Sequence, residues 1–150
     1  MKKLFLIILL YLLSSFIFAQ QRDNIIFESC EVLVVLAIPQ LLTGKNLTQL
    51  EMQNILTQAR NDKFILDNGI VIDREALARL ALLTLGRNEI VITFGSTSIE
   101  NAILIGYILE MVNNTGNHYV LTGTNRLPIY NPCNVIGTII STQAVYVYAQ

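Results

Sequence analysis

Two apolar runs joined by four turn-forming residues constrain this chain more than any other feature. "ILIGYILEMV" runs from Ile103 to Val112, "NNTG" follows, and "HYVLTG" returns. An apolar run broken by a short Asn/Gly turn and resumed with β-branched and aromatic residues reads as a β-hairpin. A run of this length also fits a buried helix, because continuous apolarity carries no period. "EIVITF" upstream and "LPIYN" and "STQAVYVYA" downstream read as further strands.

The region between residues 29 and 86 has a different character. "NLTQLEMQNILTQARND" opens with Thr48 and Glu51 in a capping-box spacing, and Leu50, Ile55 and Leu56 give a helical stripe. In "DREALARLALLTLG", Asp73 is the cap, Leu77, Leu80, Ala81 and Thr84 share a face, and Gly86 ends the helix. "SCEVLVVLAIPQLLTG" is ambiguous. Ser29 and Glu31 suit a helix start, whereas the valines favour strand and Pro39 interrupts either. A buried, kinked helix is the expectation. Helices first and hairpin-linked strands second make an α+β domain with an antiparallel sheet.

Residues 1–19, "MKKLFLIILLYLLSSFIFA", have the basic start, apolar run and small terminal residue of a bacterial-type secretory signal. The expectation is a signal peptide at 1–19 and one exported domain, periplasmic or secreted, at 20–150. Contact with a membrane is expected only through that signal, if it stays uncleaved. Losing Lys2 and Lys3 takes the formal net charge from −1 to about −3. Without basic clusters, that charge excludes a nucleic-acid-binding face. "TGKNLT" lacks the glycine framework of a phosphate loop. No metal-ligand spacing joins the single histidine to the two cysteines, so neither metal nor cofactor is expected.

Three residue types could carry chemistry. Cys30 falls at the start of the first helix, where amide N–H groups and the dipole favour a thiolate. His118 opens a strand, and Asn131 ends the next one. Neighbours across a sheet, they would form an oriented base and nucleophile of the Cys-His-Asn kind. Outside the cytoplasm Cys30 and Cys133 could instead be bridged, and a bridged Cys30 is no nucleophile.

"SCEVLVVLAIPQLLTGKNLTQLEM", "GNHYVLTG" and "PIYNP" together resemble the papain-like cysteine peptidases. The likeness is greatest to the bacteriocin-leader-processing peptidases and to an uncharacterised papain-like family of spirochaete and phage-related proteins. It spans Asn24 to Tyr148. It implies N-terminal helices, the first starting at the cysteine, packed on an antiparallel sheet. It also implies a thiol hydrolase with Cys30, His118 and Asn131 as the catalytic residues. The expected substrate is a peptide or a peptidoglycan peptide. Such enzymes carry a glutamine about six residues before the cysteine to support the oxyanion, and Asn24 stands there. Glycine usually precedes the cysteine, and Ser29 stands there. These departures define the alternative, a catalytically inactive papain-like module binding a peptide or envelope partner, with a Cys30–Cys133 disulfide.

Overall fold

The computed structural model describes residues 29–150, and the signal reading for 1–19 and Asn24 lie outside them. Among the described residues three helices, α1 (Cys30–Thr43), α2 (Gln49–Asn61) and α3 (Arg74–Thr84), precede five strands. The strands are β1 (Ile90–Phe94), β2 (Ile103–Asn113), β3 (Gly116–Thr122), β4 (Pro128–Tyr130) and β5 (Thr138–Ala149). They form one antiparallel sheet in the order β1-β5-β2-β3-β4. The α+β expectation holds, and Ile103–Asn113 is strand throughout.

The α1 segment is helical despite its valines because it is buried nearly all round. Val32, Val34 to Leu42 and even Pro39 and Gln40 are inside. A helix enclosed by neighbours has no polar face, which is why its sequence shows no period. Ser29 caps it by accepting from the Val32 N–H, and Gly44 closes it at φ 65°. Buried Gln40 meets its needs locally, donating to the Leu36 carbonyl and accepting from the Leu47 N–H.

The α2 capping box forms as expected, with the Glu51 N–H donating to Thr48 Oγ1 and the Thr48 N–H to Glu51 Oε2. Its buried stripe is Met52, Ile55, Leu56 and Ala59, whereas Leu50 is 66 % exposed. The α3 stripe is likewise rotated from the expected face. Leu77, Ala78, Ala81 and Leu82 are buried, Leu80 is half-buried and Thr84 exposed. α1 lies against α3 and β3, and α3 also meets α2 and β1. The core between helices and sheet joins Val32, Leu36, Leu77 and Leu82 to Ile92, Ile108, Leu121 and Val145.

β5 is the longest of these strands and fills the place between β1 and β2, so the last segment is an interior strand of the sheet. β2 is irregular where it meets β5, between Leu104 and Gly106 and again between Glu110 and Met111. At Gly106 a Cβ would overlap the Thr122 carbonyl oxygen, so only glycine allows β2 and β3 to approach there.

Candidate active site

The N-terminus of α1 is held in place by Ser29, whose hydroxyl donates to the Gly69 carbonyl at 2.6 Å in the turn before α3. That anchor aims the first residue of the helix, Cys30, at β3. Nδ1 of His118 stands 3.9 Å from the Cys30 sulfur, across 88 residues of sequence. Both residues are half-buried.

The other imidazole nitrogen is tethered. His118 Nε2 lies 3.1 Å from Asn113 Oδ1 and 2.9 Å from Thr115 Oγ1. The Thr115 backbone N–H donates to that same Asn113 atom at 2.8 Å, which identifies it as the oxygen. Thr115 Oγ1 also donates to it at 2.7 Å. Two acceptors at Nε2 hold the proton on that nitrogen and leave the Nδ1 lone pair facing the sulfur.

The residue orienting His118 is therefore Asn113 and not Asn131. The pairing register explains the correction. His118 sits opposite Met111, and Asn113 is its diagonal neighbour on the same face of the hairpin. β4 has three residues and ends at Tyr130, opposite Leu121, so Asn131 lies beyond the strand in the turn before Cys133. The Asn131 amide is used in its own turn, donating to the Val135 carbonyl at 3.0 Å and accepting from the Val135 N–H at 3.3 Å. Asn131 thereby shapes the loop that presents Cys133.

That loop brings the second cysteine to the first. Cys30 and Cys133 are joined in a disulfide, with Cα atoms 6.4 Å apart and 103 residues between them in sequence. Neither cysteine is free. The Asn113 side chain also reaches this loop, donating to the Ile136 carbonyl at 3.5 Å. Asn113 thus touches both the imidazole and the segment carrying Cys133. The ligand atoms of Cys30, His118 and Cys133 lie within 4.8 Å of one another.

Beside Cys30 on the helix, Glu31 is buried and ion-paired with Arg74. Arg74 also donates to Gln143, and its guanidinium lies over the Tyr119 ring at 5.7 Å. Tyr119 donates from its hydroxyl to Glu110 at 3.2 Å. Burial first, and then the Glu31 and Glu110 charges, push the Tyr119 phenol up to about 12. An open depression of about 340 Å³ beside this cluster is lined by Glu31, Arg74, Phe94 and Gln143 among others. Phe94 lines this depression, and Tyr119 lies under its Arg74.

The sequence signal for Asn113 is its place in an N-x-T turn. An N-x-T turn five residues before the histidine folds back within one hairpin, so its asparagine is local to the imidazole. Comparison with protein-family models, with curated proteins and with solved structures found no match to this chain.

Proposed function

We propose that this chain is an exported papain-like thiol hydrolase whose nucleophile is held latent in the Cys30–Cys133 disulfide. The observation that carries the reading is the imidazole. Nδ1 faces the helix-borne sulfur, and Nε2 is tethered by Asn113 and Thr115. A disulfide needs no such base beside it, whereas a thiol nucleophile does.

Activation begins with an external dithiol. It exchanges with the disulfide, leaving thiols at Cys30 and Cys133 and a disulfide in the reductant. His118 Nδ1 then takes the Cys30 proton, aided by the helix N-terminus, and the thiolate attacks a substrate carbonyl. The Cys30 N–H belongs to the first turn, where no helical carbonyl can accept it, so it is available to the developing oxyanion. Asn24 is the second candidate donor. Collapse of the tetrahedral intermediate passes the proton from His118 to the leaving amine, and water then hydrolyses the thioester. The imidazolium formed on the way is stabilised through Nε2–H by Asn113 and Thr115. A peptide or peptidoglycan peptide is the substrate class.

The disulfide itself favours the second reading, a non-catalytic peptide-binding module stapled at Cys30. The discriminating experiment incubates the reduced and oxidised full chain with a peptide library and with peptidoglycan peptides, and reads cleavage by mass spectrometry. The hydrolase reading expects products from the reduced chain only, lost in Cys30→Ala. Absence of products from a reduced chain that still binds a peptide assigns it to the binding module.

A further inference from the structure

We propose that the reduced chain is also a divalent-metal site, in which Cys30, Cys133 and His118 Nδ1 take a zinc-class ion and leave a fourth position to water. The inference uses the residues of the proposed hydrolase but does not rest on hydrolysis. Three observations carry it. The two sulfurs and the ring nitrogen converge within 4.8 Å, although their residues come from a helix, a loop and a strand. His118 has the outer-shell arrangement of a metal-ligating imidazole, with Nε2 committed to Asn113 Oδ1 and the Nδ1 lone pair turned toward the sulfurs. The two cysteine Cα atoms are 6.4 Å apart, toward the wide end of the disulfide range, so the reduced sulfurs can part to span an ion with little backbone movement.

Two thiolates and an imidazole form a soft donor set suited to zinc rather than to magnesium or calcium. Among the described residues no carboxylate joins the cluster, which leaves the remaining tetrahedral position open, as in zinc sites that bind water. The balance is direct. A dithiol reductant is oxidised to its disulfide as Cys30 and Cys133 become thiols, and the ion then displaces one proton from each sulfur. Nδ1 joins as a neutral ligand. A bound ion occupies both the Cys30 sulfur and the His118 lone pair, so the metal form cannot use Cys30 as a nucleophile.

The test uses Co²⁺ as the probe. The full chain is reduced with a dithiol, freed of reductant without air, and titrated with Co²⁺ and then Zn²⁺. The expected result is one equivalent of Co²⁺ with thiolate-to-cobalt charge-transfer absorption and tetrahedral visible bands, displaced by Zn²⁺. The disulfide form should give neither. Asn113→Ala should weaken Co²⁺ binding by about 10–100-fold, the usual effect of losing an outer-shell partner, and His118→Ala should weaken it more. Failure of the reduced, still-folded chain to take up either ion overturns the proposal. So does Co²⁺ affinity unchanged in both variants, which would mean cysteine-only binding. Alkylation of Cys30 in the metal-free chain reports on the nucleophile alone, so the two proposals fail separately.

Discussion

At the residue scale, the chemistry depends on which asparagine serves the imidazole. Cys30 at a helix start and His118 at a strand start are brought together, the sulfur 3.9 Å from Nδ1. Asn131 precedes Pro132 and follows a strand next to that of His118, but strand order does not fix register, and register decides which side chains meet. Asn113 is flagged only by the N-x-T turn it opens. Its role comes from one diagonal step across the hairpin and an Asx turn through Thr115. Asn113→Ala should therefore slow alkylation of Cys30 in the reduced chain by on the order of tenfold, the difference between an ionised thiol and one mostly protonated near neutral pH. Asn131→Ala should leave that rate unchanged and cost about 1 kcal/mol through its lost turn hydrogen bonds. Mapping labelled peptides by mass spectrometry, with urea melts, checks both. Tyr119 supplies a pH prediction. Its phenol ionises at about 12 rather than 10.0 because burial and two carboxylates disfavour the anion. The folded state holds this proton more tightly than the unfolded state, so the stability it gives is complete below pH 10 and is lost as pH rises through about 12. Tyr119→Phe should flatten that alkaline loss in denaturation curves and remove the most alkaline step from a tyrosinate titration.

At the element scale, elements with their own end signals were readable. Thr48 with Glu51, and Asp73 with the Ala76 N–H, cap helices where expected. The hairpin of β2 and β3 was readable because its turn is local. The helix face was less so, because Leu50 and Thr84 satisfy the spacing of a stripe while the neighbouring elements cover Met52, Ala78 and Leu82 instead. Thr48→Ala removes the cap oxygen from the Glu51 N–H and should cost about 1 kcal/mol. In urea this should lower the midpoint with an unchanged slope. No end signal reveals that β5 inserts between β1 and β2. That order is set by which apolar faces remain uncovered once the helices are in place, and it involves contacts across most of the chain.

At the scale of the whole molecule, one covalent link ties the start of the first helix to the loop before the last strand. The disulfide spans 103 residues. Closing a loop of about 100 residues is worth up to about 4.7 kcal/mol in the chain-entropy account. Cys133→Ser should therefore remain folded on its helix–sheet core yet melt at lower denaturant, with a deficit of about 2–5 kcal/mol that reduction of the parent chain reproduces. Two cysteines allow such a bridge, but the sequence does not choose between a staple and a nucleophile. The fold brings the same two sulfurs to an oriented imidazole, and that convergence makes latency the central claim.

The most direct test of that claim is the alkylation rate of Cys30 in Cys133→Ser, where the sulfur cannot be bridged. With a limiting alkylator near neutral pH, the account predicts labelling roughly tenfold faster than an ordinary free thiol, which is only a few per cent ionised. Adding His118→Ala should return it to the ordinary rate. Labelling no faster than a free thiol, or unchanged by loss of His118, would contradict the account and leave the disulfide as a structural staple.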